Sequence, residues 1–519
     1  MKKLISILLS LSLLASLLTG CAAEDDPQAY VPTGDALTWD DMEEEVSVVQ
    51  DEEQQLSLAY YAEREMNPLK ATDYTNRMLI PLIYQGLFRV TREYEAEPML
   101  CSSYTATVDL MTYKFTVDPK ATFSDGVPVR AEDVVQSLEA ARNSDYYSGR
   151  MRYFQSITVA EDGAVEIKLR QPYEDLPLLL DIPIVKATEV EEPFPLGTGP
   201  YKLAGTEGYR FLSKRTNWWC KSKDLLITDD QIPLVAAESE THIRDQFEFA
   251  DVGVVLTDPG SDWYVDYRCD YELWDCETGL FVYLGVHEDS TVFAKKEVRQ
   301  ALTKGINRDL LVDSYYRGFA VAAELPASPN FPHYSQALAK KYTYDPAEFA
   351  SLLAEYQGYT VKLLVNKDDS LRYRVAQEIG RMLSAGGLIV EVSAVSSLEF
   401  RYTLRNGEYD LYLGETKLSP NMDLSQFFAT DGSLSYGGMD NVGAYTQSLQ
   451  ALENHGSYYT LHQTVMEEAY LCPVVFHSYA VYATRGLLTE LQPARDNVFS
   501  YSIGKSMETA YVDPTGMGA

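Results

Sequence analysis

Apolar and polar positions alternate between two periods along this chain, and the changes of period mark its elements. A short apolar run, Leu56-Ser-Leu-Ala-Tyr-Tyr61, predicts a strand. Apolar residues dominate Leu79 to Val90, and Leu110 to Val117 alternates (Met111, Tyr113, Phe115, Val117) as a half-buried strand does. After a turn at Ser124-Asp125-Gly126, the spacing of Val134, Val135, Leu138 and Ala141 predicts a helix over 131–142, with Glu132 and Asp133 at its positive end. Val165 to Leu169 alternates again, so 80–193 reads as an α+β unit of its own. Gly197-Thr198-Gly199-Pro200-Tyr201 reads as a sharp turn feeding a strand. Pro200 removes a donor and no lysine follows at Walker spacing, so it is not a phosphate loop.

The second half has plainer punctuation. Val298, Ala301, Leu302 and Ile306 mark one helix, and Asn307 caps the next, which ends near Gly318. Asp345-Pro346-Ala347-Glu348 is a capping box ahead of a stripe of Phe349, Leu352, Leu353 and Tyr356, stopped by Gly358. A strand (Val361, Leu363, Val365), a helix over 371–385 and a strand over 388–392 then predict a right-handed βαβ unit with parallel strands. Further strands end near Gly414 and run from Tyr470 to Val481, the latter broken by Pro473. The pattern is that of a doubly wound α/β lobe, which binds ligands outside the carboxyl ends of its strands.

The amino-terminal segment follows neither period. Lys2 and Lys3 precede an apolar run from Leu4 to Leu18, the layout of a secretory signal and short for a membrane span. Leu18-Thr19-Gly20-Cys21 resembles the bacterial lipobox, which implies cleavage before Cys21, a lipid on its sulfur and an extracytoplasmic, membrane-anchored protein. From Ala22 to Glu53 there are 12 acidic residues and no lysine or arginine. Such a stretch reads as a flexible spacer with an r.m.s. span of roughly 30 Å.

Composition narrows the function. With 519 residues, two to three domains are expected. A net charge of −34 argues against nucleic acid and against direct adhesion to an anionic membrane, leaving the lipid to attach the chain. Removing Cys21 leaves five cysteines, an odd number that excludes a full disulfide framework, although Cys269 and Cys276 are close enough to pair across a turn. The six histidines are scattered, and neither a metal site nor a cofactor is expected. No GxSxG, HExxH, Walker loop or GxGxxG after a strand is present, so the chain is not expected to be an enzyme.

Six stretches carry a family resemblance: NPLKATDYTNRMLIPLIYQGLF (Asn67 to Phe88), YKFTVDPKATFSDGVPVRAEDVVQSLEAAR (Tyr113 to Arg142), GTGPYKL (Gly197 to Leu203), VRQALTKGINRDLLVDSYYRG (Val298 to Gly318), YDPAEFASLLAEYQGY (Tyr344 to Tyr359) and Val361 to Leu413. Together they resemble the bacterial extracellular solute-binding proteins of family 5, the oligopeptide-, dipeptide- and nickel-binding lipoproteins of ABC importers. The resemblance implies a two-lobed periplasmic-binding-protein-like fold of type II, cluster C-like, with an additional α+β domain. It implies a discontinuous lobe I (56–79, 194–279 and 478–519), the extra domain (80–193) and a lobe III (280–477). It implies capture of a small solute, foremost a peptide, by hinge closure, and delivery by a monomer to an ABC permease. A peptide or pheromone sensor, or a binder of a metal chelate, are the alternatives.

Carried over by position, the ligand contacts fall on Tyr61 to Arg64 and Glu415 to Asp423. The aspartate with which peptide-binding members hold an α-amine has its place at about Ser419 or Pro420, so that role passes to Glu415 or Asp423. The expected site is therefore Tyr61, Glu63, Arg64, Glu415, Asn421, Asp423 and Tyr436, with Glu63 and Arg64 taking opposite ends of a zwitterion. Asp125, Gly126 and Gly199 read as turn formers and stay outside it.

Overall fold

The computed structural model describes residues 55–220, 227, 229–488 and 491–499. The signal segment, Cys21 and the acidic spacer as far as Gln54 lie outside the described residues, as does 500–519.

Two long antiparallel strands, Tyr271–Val286 and Leu471–Thr484, form the middle of an 11-stranded sheet. Their outer halves carry different neighbours. Tyr271 to Glu277 pairs with the end of the second strand, which also bonds Val254–Thr257, and beyond it lie Leu58–Tyr60, Gln231–Ala236, Tyr209–Lys214 and Tyr201–Thr206. Leu280 to Val286 pairs with Leu411–Lys417, followed by Thr360–Asn366 and Ile389–Val395. Between these halves the register slips at Glu277/Leu280.

Alternation along the long strands builds a core on each face, as a pleat requires. Phe281 and Tyr283 enter one cluster while Val282, Leu284 and Val286 enter another. In the other half, Val481 and Ala483 face one cluster and Ala480 and Tyr482 a second. Replacing a ring as deeply buried as Phe281 by alanine costs about 3–5 kcal/mol in such cores.

The elements of the second half follow their caps. The Asn307 carboxamide accepts the Leu310 N–H at 3.0 Å and starts Arg308–Ser314, and Gly318 follows at φ 84°. Asp345 accepts the N–H groups of Ala347 and Glu348 and starts Pro346–Leu352. That helix is shorter than its stripe: Phe349 and Leu353 are buried, but Leu352 is 41% exposed, because the chain tightens into a 3-10 turn at Ala354–Tyr356. Thr360–Asn366 pairs in parallel with both Ile389–Val395 and Leu411–Lys417, with the helix Ser370–Ala385 between.

The strand expected to break at Pro473 does not. It runs through from Leu471 to Thr484, because a second register shift between Val282 and Tyr283 places Pro473 opposite Tyr283, where its missing N–H is accommodated. Cys269 and Cys276 do not pair and carry free thiols.

A four-stranded antiparallel sheet (order Cys101–Ala106, Thr112–Val117, Val165–Leu169, Phe154–Val159) packs beneath the helix Ala131–Ala141. The Asp133 carboxylate accepts the Arg130 N–H at 2.9 Å and the Ala187 N–H at 2.8 Å, which fixes both ends of that unit.

The Gly197-Thr198-Gly199 turn seats this unit on the large sheet. The Gly199 N–H donates to Ile83 O at 2.8 Å, and a Cβ on Gly197 would lie 2.1 Å from the same oxygen. Two backbones touch there, so neither yields easily. Gly197→Ala is expected to lower stability by about 1–3 kcal/mol in urea unfolding. An unchanged midpoint would show that the contact has room to spare.

Candidate functional site

Where the carboxyl end of Leu411–Lys417 leaves the sheet, a cavity of about 420 Å³ opens against the segment Asp145 to Arg152. Its charged walls are Arg150, Arg152, Lys417 and Arg495, against Asp145 and Asp423. That balance reverses the chain as a whole, where 43 basic residues face 77 acidic ones. A smaller cavity of about 80 Å³ adjoins it, sharing Tyr146, Arg150 and Arg495 and adding Arg77, Asp181 and Asp496.

Each cation is held differently. Arg150 pairs with Asp181. Arg152, a third exposed, stands 3.9 Å from the Asp423 carboxylate. Lys417 donates to Asp496 at 2.6 Å, with its ammonium 4.9 Å from the ring of Tyr146. Burial opposes ionisation of Asp496, but Lys417 and Arg495 hold its carboxyl below the usual range. Arg495 donates to Leu418 O, yet its Nη1 is buried without a hydrogen-bond partner among the described residues. An orphaned guanidinium donor is costly unless something else takes its hydrogens. Gly279, at φ 71°, lies against that group: a Cβ there would fall 2.2 Å from Arg495 Nη2.

A chain of charges runs behind the cavity. Asp369 caps Ser370–Ala385 and accepts from Arg372 Nη2 at 2.8 Å, and the same nitrogen donates to Glu415 at 2.7 Å. Glu415 lies 3.9 Å from His477 Nδ1, and His477 Nε2 reaches Asp258 at 3.0 Å. Burial opposes a charged His477, but the bonds to Asp258 and Glu415 win and push its pKa up to about 9. For Glu415 burial also opposes the charge, and Arg372 then holds its carboxyl below the usual range.

The residues expected from the sequence divide between these features. Asp423 lines the cavity, though its carboxylate also accepts the N–H and hydroxyl of Ser425. Glu415 sits in the charge chain. Asn421 is buried behind the wall, with its carbonyl accepting from Tyr458 and its side chain from Ser419, and Tyr436 packs edge-on against Tyr412. Tyr61 lines a separate cavity of about 90 Å³ with Asp73, Glu240, Asp258 and Tyr479. Arg64 lies 3.6 Å from the ring of Tyr61 and pairs with Asp73, and Glu63 is exposed. Of the cations, Lys417 falls within the expected span Glu415 to Asp423 without being singled out, while Arg150, Arg152 and Arg495 lie outside both expected spans. Their one sequence signal is Arg150-Met151-Arg152, a basic pair in an acidic chain.

A family model of the bacterial extracellular solute-binding proteins, family 5, matches residues 95–436. The chain belongs to that family. The glutathione-binding protein GsiB of Pectobacterium atrosepticum is 26% identical to this family 5 protein over 390 residues, covering 70% of this chain and 75% of that one. Among solved structures, the ABC transporter substrate-binding protein CtaP of Listeria monocytogenes covers 87% of this chain and 99% of its own, at TM-score 0.71 and 17% identity. The oligopeptide-binding protein AppA of Bacillus subtilis, solved with a nonapeptide, covers 85% and 97% at TM-score 0.59 and 19% identity. The fold is thus the two-lobed binding-protein fold of this extracellular family, and no helix among the described residues is long and apolar enough to cross a membrane.

The charge chain gives the family 5 protein a pH signature. His477 gains its proton more readily folded than unfolded, so its stabilising effect is complete below about pH 6.5 and fades as pH rises through 9. Comparing wild type with His477→Gln by urea unfolding at pH 6 and pH 9.5, the stability difference is expected to shrink by up to about 3 kcal/mol. A difference independent of pH would remove the ion-pair account.

Proposed function

We propose that this protein captures a carboxylate-bearing solute, foremost a peptide, between its lobes and delivers it to an ABC permease. The observation that carries this reading is the cavity with four cations and a buried, unpartnered Arg495 donor, within a chain of net charge −34. Guanidinium groups fork carboxylates with two parallel hydrogen bonds, and each charge-assisted bond is worth about 1.5–3 kcal/mol. A peptide C-terminus or acidic side chain would meet Arg152 and Arg495, and an ammonium would meet Asp145 or Asp423. The relatives support the class: one is named for glutathione, itself a peptide with more carboxylates than amines, and one was solved with a nonapeptide.

Of the carried-over residues, Asp423 has the strongest claim. Glu415 serves by fixing Arg372 and His477. Tyr61 and Arg64 belong to a flank of the cleft, at the separate cavity lined by Asp73, Glu240 and Asp258. The break between the halves of the large sheet acts as the joint, with 80–193 as the additional domain and the halves as lobes. The chain works as a monomer tethered by lipid on Cys21, its acidic spacer letting the binding domain reach the permease.

Two experiments test this. In a thermal-shift screen, acidic and zwitterionic peptides are expected to raise the melting temperature, and lysine-rich peptides are not. Arg152→Ala should weaken the best peptide about tenfold or more while leaving the unliganded melting temperature nearly unchanged. Peptides that never shift the transition, while metal chelates or sugars do, would overturn the peptide reading, and unchanged affinity in the variant would overturn the site.

The tether has its own test. Cys21→Ala should release the protein from cells into the medium with its solute affinity intact. Retention on the membrane would mean that something other than this lipid holds it.

A further inference from the structure

Away from the cleft, three side chains distant in sequence converge. Asp175 precedes the turn Leu176–Leu179 on the unit built around the four-stranded sheet. His333 lies in the loop after Ala320–Ala322, and His455 opens the turn between helices Val442–Glu453 and Tyr458–Glu468. One donor atom from each lies within 4.8 Å of the other two. His455 Nε2 is 2.5 Å from Asp175 Oδ2, and its other ring nitrogen faces Glu174 Oε2 at 3.5 Å. The His333 ring sits 4.4 Å from that of His455 and stacks flat on Tyr458 at 5.3 Å.

We infer that Asp175, His333 and His455 form a binding site for a divalent transition-metal ion of the Zn²⁺ kind, bridging the four-stranded-sheet unit and the helical end of the large-sheet body. Two imidazoles and one carboxylate are the donor set that suits Zn²⁺ or Ni²⁺ rather than Ca²⁺ or Mg²⁺. Bonds of about 2.0–2.2 Å in a tetrahedron put donors roughly 3.3 Å apart, which small side-chain rotations reach from the present spacing. Glu174 behind His455 matches the carboxylate that commonly orients a ligating imidazole. A plain ion pair accounts for His455 and Asp175, and ring packing on Tyr458 and Phe331 holds His333, whose ring nitrogens hydrogen-bond no other described residue and so remain available to an ion. All three side chains are partly exposed, so a hydrated ion can reach them and keep a water as its fourth ligand. The ion would reinforce two existing links between the same segments, Glu174 N–H to Leu452 O at 2.8 Å and His455 N–H to Glu174 at 3.1 Å.

The test titrates the chelator-stripped full-length protein with Zn²⁺ alone, by calorimetry and by competition with a chromophoric chelator. Wild type is expected to bind one ion per chain, at least tenfold more tightly than His333→Gln or His455→Gln, and Asp423→Asn, which removes a carboxylate from the cleft, is expected to match wild type. His333→Gln is the cleaner variant, because it breaks no hydrogen bond, and its metal-free melting temperature should equal that of wild type. Co²⁺ in place of Zn²⁺ should give the visible absorption of a tetrahedral site, lost in His333→Gln. Equal Zn²⁺ affinity in all the histidine variants, or no stoichiometric binding by wild type, overturns the site. Loss of binding in Asp423→Asn instead would place the ion in the solute cleft and overturn it equally.

Discussion

The pairing of Tyr271–Val286 with Leu471–Thr484 holds both halves of this molecule on one pair of strands, and everything else depends on where that pairing fails. On either side of the break, each pleat buries apolar residues on both faces. At the break itself the buried residues are Glu277, Thr278, His477 and Ser478. Thr278 donates to His477 O at 2.5 Å, Gly279 turns through a positive φ, and the Glu277 carboxylate is held by Tyr94 and Asn330. A ladder interrupted at one point, with side-chain hydrogen bonds in place of interdigitated methyl groups, bends there before it bends elsewhere. The proposed joint between the lobes falls at this interruption of the ladder.

That proposed joint is crowded with partly buried charge. Asp369, Arg372, Glu415, His477 and Asp258 alternate in sign across it, and Lys417 with Asp496 and Arg495 repeat the arrangement on the cavity side. Each desolvated ion costs several kcal/mol, and its partner returns that only if the geometry holds. Such networks add little net stability but penalise any slip of one half against the other. Glu415 illustrates the consequence. It stands near a strand end beside the cavity, yet its carboxylate is committed to Arg372 and His477.

Much of the scaffold was legible because it is written locally. Asn307 and Asp345 announce helix starts through their own side chains, and the period of Val361, Leu363 and Val365 declares a buried strand. The cavity was legible only in part, because no local pattern produces it. Arg150 lies within a 3-10 turn, Ser148–Met151, and Arg152 just after it, where there is no periodicity. Lys417 ends a strand whose last residues, Glu415-Thr416-Lys417, are polar and so read as loop. Arg495 arrives from the far end of the chain. Sheet topology alone brings these together, and topology is the part of a fold that single-sequence patterns encode least. The family motif led to Asp423, which lines this cavity, while Tyr61, reached by the same route, lines a separate one, with Arg64 against its ring.

The contrast between an acidic exterior and a basic cavity has a kinetic meaning. Ionic strength near physiological screens exposed charges beyond about 8 Å, so a net charge of −34 only mildly slows the approach of an anionic solute. On the proposed reading, a solute carboxylate inside the cavity would sit within about 4 Å of a cation, where each pair is worth on the order of 1–4 kcal/mol. The surface therefore acts on the rate of entry and the cavity on the rate of escape, and the second dominates affinity. A lysine-rich peptide faces the opposite arrangement: it is drawn to the surface at large but meets Arg150, Arg152, Lys417 and Arg495 inside. On the proposed reading, rejection of such peptides would follow from the like charges they would have to bury, so the cavity would select by repulsion as well as by attraction.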